Sequence, residues 1–128
     1  MTSNELTERV IRAAIDVHRQ LGPGLLESVY ETCLAIEMRR EHLRVRTEVP
    51  IPITYRGQPV AEEGFRIDLL VEDALVVELK SVEYLRPVHA KQVLTYLRLG
   101  GFHIGLLMNF HETQLIRGVR RIVDGLQG

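Results

Sequence analysis

A single cysteine, Cys33, stands in the 128 residues. One thiol forms no internal disulfide and no cysteine-based zinc site. Cys33 falls in a helical pattern, so it reads as a buried free thiol. Long apolar runs are also missing. None reaches the ~18 residues of a membrane span, and the first residues carry no apolar leader core. The expectation is a cytoplasmic chain with no membrane partner. Excess charge of either sign is absent too, with a net charge of −1. That excludes a protein that coats nucleic acid by charge alone, but not one whose acidic site is neutralised by bound metal. There is no Gly-rich phosphate loop, no Ser-His-Asp set in a distinctive context and no cysteine-nucleophile signature. Repeats, low-complexity segments and linkers are lacking, so one domain over 1–128 is expected, long enough to bury a core.

What is present is periodic. Leu6, Val10, Ala13, Ala14, Val17 and Leu21 recur at helical spacing over about Asn4 to Gln20. Thr2 with Glu5 resembles a capping box. Gly22-Pro23-Gly24 then breaks the helix. A second helix is predicted from about Leu26 to Glu41, with Leu26, Val29, Tyr30, Cys33, Leu34 and Met38 on its apolar side. Glu27 lies in its first turn, where the helix dipole favours negative charge. From Arg44 the period changes to two. Val45 to Val49 and Ile51 to Tyr55 read as strand interrupted by Pro50 and Pro52, as suits an edge. Arg56-Gly57-Gln58-Pro59 is a turn. Val60 to Val71 and Leu75 to Lys80 follow as strands. Pro87 fits the first turn of a third helix that ends at Gly100-Gly101. Phe102 to Phe110 reads as a strand buried on both faces. A last strand, about Gln114 to Val119, precedes a polar tail. The order ααβββ(β)αββ implies an α/β sandwich with a mixed sheet flanked by helices.

The chemistry concentrates at Asp68 and at Glu78-Leu79-Lys80. Only Glu72-Asp73-Ala74 separates Val71 from Leu75, so a hairpin is the simplest connection. Turned about Asp73, it makes Asp68 and Glu78 cross-strand neighbours with Cβ atoms roughly 5 Å apart. Lys80, two residues on, points to the same face. Two carboxylates and an ammonium in an apolar hairpin are costly to desolvate. A divalent cation between the carboxylates offsets that cost, as does a phosphate or water at the lysine. The same three residues also read as a solvated face with a weak ion pair, worth roughly 0–1 kcal/mol.

On the third helix Gln92 and Tyr96 share a face, and His89 joins that stripe. They read as a water- or phosphate-binding edge beside the carboxylates, or as the polar side of an amphipathic helix. Glu27 reads as a helix-terminus charge or as a third carboxylate, since magnesium needs few protein ligands and keeps waters. The five histidines form no metal cluster by spacing. His18 suits a carbonyl-bonded imidazole near a helix end. Arg39, Arg40, Arg44 and Arg46, and separately Arg117, Arg120 and Arg121, read as phosphate contacts or as solvated charge.

Gly24-Leu25-Leu26-Glu27-Ser28-Val29-Tyr30 matches the motif after which the GxxExxY family is named. The likeness runs on through Leu21-Gly22-Pro23-Gly24, Gln92-Val93-Leu94-Thr95-Tyr96 and Leu106-Leu107-Met108-Asn109-Phe110. The chain thus resembles a family placed in the PD-(D/E)XK nuclease superfamily. The resemblance implies a restriction-endonuclease-like core around one metal site. By it, Asp68, Glu78 and Lys80 would match the motif's Asp, Glu and Lys. Gln92 and Tyr96 would match a Q-x-x-x-Y element, and Glu27 the helical Glu that some members add to the metal ligands. Ile67 stands where the motif has proline. The implied activity is Mg²⁺- or Mn²⁺-dependent phosphodiester hydrolysis of nucleic acid, DNA by expectation. Lys80 would act electrostatically, Gln92 would position water or phosphate, and Tyr96 would support it. The alternative is a non-catalytic nucleic-acid or protein binding module that keeps the fold. A core this small leaves little surface for sequence readout, so a homodimer or a partner protein is expected.

Overall fold

Thr2 and Glu5 exchange side-chain-to-backbone hydrogen bonds of 3.1 Å. This capping box starts helix α1, Ser3–Leu21. The computed structural model describes residues 1–125; the end of the polar tail and of the expected 1–128 domain lies outside them. Helix α2 spans Glu27–Arg40, and strands β1 to β3 span Val45–Tyr55, Gln58–Val71 and Leu75–Lys80. Helix α3, Pro87–Gly100, crosses to β4, Ile104–Asn109. A 3₁₀ turn at Leu115–Gly118 leads into β5, Val119–Val123.

The five strands lie in the order β1-β2-β3-β4-β5. Only β3 and β4 run parallel; the other neighbours are antiparallel. β3 and β4 are interior strands buried on both faces, as a parallel pair covered on both sides requires. Helices α1 and α2 cover one face, packing Val10, Ala14, Tyr30, Leu34 and Met38 against Leu69, Val77, Leu106 and Met108. Helix α3 covers the other, setting Val93 and Leu97 on Ile67, Leu70, Val76 and Leu107. Each such side chain contributes about 1.5–3 kcal/mol by leaving water. The result is the expected mixed sheet flanked by helices, a restriction-endonuclease-like α/β fold. Among the described residues no helix is long and apolar enough to cross a membrane.

Both hairpins follow the turn chemistry. Arg56 and Gly57, both at positive φ, join β1 to β2 in a two-residue loop. Glu72 and Asp73, also at positive φ, bend β2 into β3. The pairs Leu69↔Val77, Leu70↔Val76 and Val71↔Leu75 give the register expected for a turn about Asp73. Pro50 and Pro52 lie within a single strand at the sheet edge, where a missing N–H is tolerated.

Three expectations are corrected. Leu26 precedes α2 as its N-cap and is 74% exposed; Val29 is exposed too, because the buried stripe is Tyr30, Leu34 and Met38. Cys33 is half-buried, not buried. Gln114–Val119 is not a strand: Leu115 is buried within the 3₁₀ turn, and β5 starts where that turn ends. Gly118 is essential to the turn, since a Cβ there would lie 2.8 Å from the Asn109 carbonyl oxygen.

Candidate active site

The β2–β3 ladder stops at Leu69↔Val77. Beyond it, side chains replace backbone partners. The Asp68 N–H donates to Glu78 Oε1 at 3.2 Å, and the Leu79 N–H donates to Asp68 Oδ2 at 2.9 Å. Each carboxylate thus binds the strand opposite, and the two strands separate around them. Glu78 is 6% exposed and Asp68 half-buried. Lys80 follows on the same strand, half-buried. Its ammonium forms no ion pair within 4 Å among the described residues, although its charge acts on Glu78 against the upward push of burial.

Two further carboxylates converge here that sequence reading passed over. Oxygens of Glu31, Glu48 and Asp68 all lie within 4.8 Å of one another. Glu31 is one turn beyond Glu27 on α2, so it shares that face. Glu48 comes from the edge strand β1. Thr47↔Leu69 and Val49↔Ile67 flank it, which aligns Glu48 with Asp68 across the strands. Its φ of 51° is a left-handed conformation that costs a glutamate on the order of 1–3 kcal/mol. The helical spacing from Glu27 was a signal for Glu31; nothing in the local pattern marked Glu48.

Crowding like charges in a desolvated place has the expected electrostatic result. Glu78 is pushed up from 4.5 to about 9, first by burial and then by Asp68. Glu31 is raised to about 8, by burial and by Glu48. Asp68 is raised by burial, although the Leu79 and Glu78 hydrogen bonds oppose this. The Tyr96 phenol is raised by burial and by the facing Glu78 and Asp68, which puts α3 beside the pair.

The Gly-x-x-Glu-x-x-Tyr stretch acts as a clip on this site. Tyr30 is fully buried and stacks on Phe110 at 4.5 Å. Its hydroxyl donates to the Gly22 carbonyl at 2.5 Å and accepts the Leu25 N–H at 3.0 Å. Gly24, at φ 98°, turns the loop. The Ser81 hydroxyl then donates to the Leu25 carbonyl at 2.8 Å. The Ser81 N–H donates to Glu27 Oε1 at 3.2 Å, so Glu27 holds the chain directly after Lys80. From the other side Asn109, fully buried, accepts the Val82 N–H and donates to the Val82 carbonyl.

Gln92 and Tyr96 share the face of α3 expected of them. Tyr96 stacks on Phe65 of β2 with ring centroids 4.0 Å apart. Among the described residues Gln92 makes no hydrogen bond to the carboxylates; it lines a groove beside Tyr96. His89, in the same helix, is engaged at its start, where its Nδ1 accepts the Arg86 N–H. His18 Nε2 lies 2.7 Å from the Glu112 carbonyl oxygen, the carbonyl-bonded role expected of it. The arginines are engaged internally: Arg44 with Glu72, Arg46 with Asp73, Arg40 with Glu37, Arg39 with the Val45 carbonyl, and Arg121 with Asn4.

A family model described as the PD-(D/E)XK nuclease superfamily matches residues 4–122, nearly the whole chain. The chain belongs to the PD-(D/E)XK nuclease superfamily. No curated protein and no solved structure matches it. As a PD-(D/E)XK nuclease superfamily member it is expected to use a divalent metal, and its donor set fits one. The oxygens of Glu31, Glu48 and Asp68 are hard anionic ligands, the kind Mg²⁺ and Mn²⁺ take. Their mutual repulsion, which adds to burial in raising Glu31 and Asp68, is what a dication would relieve.

Proposed function

We propose that this protein is a metal-dependent nuclease that hydrolyses phosphodiester bonds of nucleic acid, DNA first among them. The observation that carries the reading is the convergence of Glu31, Glu48 and Asp68 to within 4.8 Å, with Glu78 hydrogen-bonded against Asp68 and Lys80 two residues beyond. Glu31, Glu48 and Asp68 would hold Mg²⁺ or Mn²⁺, with Glu78 and Glu27 beside them. A bound dication of this kind lowers the pKa of its water and offsets charge on the phosphate.

The remaining work falls to the chain's own groups. Lys80, without an ion-pair partner, meets the negative charge that grows on the scissile phosphate. Tyr96, whose phenol is raised by burial and then by Glu78 and Asp68, donates toward the same phosphate. Gln92 orients the phosphate or a water from the adjacent turn of α3. Glu27 and Asn109 act through the backbone, fixing the segment that carries Lys80. The reading also places the chain in the GxxExxY family as one cytoplasmic nuclease-like domain, working as a homodimer.

The test is cleavage of linear, nicked and single-stranded DNA with Mn²⁺. Asp68→Asn and Glu78→Gln keep the hydrogen-bonding shape while removing negative charge. Each is expected to lower cleavage by about 10²–10³-fold or more with the fold intact. Wild-type rates in either variant refute the assignment, and a monomer mass by light scattering refutes the dimer.

A further inference from the structure

Strands β1 and β2 are much longer than β3. Their pairing continues to Tyr55↔Gln58, whereas β3 pairs with β2 only over Leu69–Val71. The unpaired part of this hairpin forms an arm beside α3. Between arm and helix runs a groove of about 380 Å³, lined by Ile53, Gly64 and Phe65 on one side and by Lys91, Gln92, Thr95 and Tyr96 on the other. That volume lies at the small end of the roughly 300–1,000 Å³ of small-molecule sites. It has room for one nucleoside and its phosphate.

Three features give the groove its chemistry. Phe65 and Tyr96 form a parallel aromatic stack within it, interplanar angle 7°. Lys91 contributes a cation that has no ion pair among the described residues. Tyr96 joins the groove to the carboxylates: its ring lies on Phe65 while its phenol feels Glu78 and Asp68. A strand running from the carboxylates past Tyr96 would lay a base against the outer side of this aromatic pair, whose inner faces cover each other.

We propose that this groove seats an unpaired nucleoside of the substrate, so that the protein selects single-stranded or frayed nucleic acid over closed duplex. The inference rests on the nuclease reading for its orientation. Aromatic platforms bind single strands in this sequence-tolerant way, each base adding about 1–3 kcal/mol. Lys91 supplies the phosphate contact that makes such binding salt-dependent.

The experiment measures binding apart from cleavage. A fluorescein-labelled single-stranded 12-mer and its blunt duplex are titrated with the whole protein in Ca²⁺, by anisotropy, with oligonucleotide integrity checked on gels. The single strand is expected to bind about 10-fold more tightly. A 2-aminopurine in the strand is expected to lose fluorescence as it stacks. Phe65→Leu is expected to weaken single-strand binding about 10-fold. Lys91→Ala, on the exposed face of α3, is expected to weaken it several-fold and to flatten its salt dependence. Equal or tighter binding of the duplex overturns the proposal. So does unchanged single-strand affinity in a folded Phe65→Leu or, if that variant unfolds, in Lys91→Ala. Failure of the nuclease reading has another signature: no cleavage by the wild-type protein, or cleavage unchanged in Asp68→Asn and Glu78→Gln, with the single-strand preference intact.

Discussion

Glu48 shows most sharply how a residue is held against its own preference. A glutamate at φ 51° in an edge strand is strained, and it is placed against two acidic neighbours. Asparagine tolerates that backbone and carries no charge. Glu48→Asn is therefore expected to raise the melting temperature of the metal-free protein, by up to about 1 kcal/mol of stability. It is also expected to weaken Mn²⁺ binding about 10-fold by calorimetry. Lower stability together with unchanged metal affinity would contradict the role given to Glu48. Asp68 and Glu78 were readable in the chain because a hairpin's register follows from counting residues to its turn. Glu48 was not, since alignment with Asp68 depends on how a second, longer hairpin pairs, and its irregular register could not be counted out.

At the scale of elements, the stretch from Gly22 to Tyr30 is a structural clip whose purpose is to place α2 against the end of β3. The Tyr30 hydroxyl makes both of its hydrogen bonds to that loop. Tyr30→Phe keeps the ring stacked on Phe110 and deletes those bonds. About 1 kcal/mol of stability is expected to be lost, because the half-buried Gly22 carbonyl is left without its donor. Hydrogen exchange at the Leu25 amide is expected to quicken, and unchanged protection there would argue against the clip. Asn109 has the matching part on the far side of Lys80. Asn109→Ala strands the Val82 N–H and carbonyl, and a loss of about 2–3 kcal/mol by urea unfolding is expected. The helices and strands themselves were legible, since their periods, caps and breakers agreed. The segment before β5 was not. Its branched apolar residues Leu115, Ile116 and Val119 read as a strand's, but Gly118 lets the chain turn tightly under Asn109, a contact no local pattern announces.

For the whole molecule, the acidic cluster ties stability to pH. Glu78 and Glu31 titrate at about 9 and about 8 in the folded chain, against 4.5 ordinarily. Over that interval the folded state holds protons that the unfolded state has released. Stability of the metal-free protein is then full below about pH 4.5, as far as these groups go, and declines as pH rises toward 9. Melting curves without metal are expected to fall from about pH 6 to about pH 9. Saturating Mn²⁺ is expected to remove the decline and release protons as it binds. A metal-free melting temperature that stays level across the interval would mean the carboxylates are not crowded as described. Sequence alone determined the element order, the β2–β3 register and hence the meeting of Asp68 with Glu78, because these depend on residues close along the chain. Tertiary structure alone decided that Glu31 and Glu48 join them, that Glu27 and Asn109 brace Lys80, and that Phe65 stacks on Tyr96. Those contacts join elements tens of residues apart, and only packing of helices and arm onto the sheet brings them together.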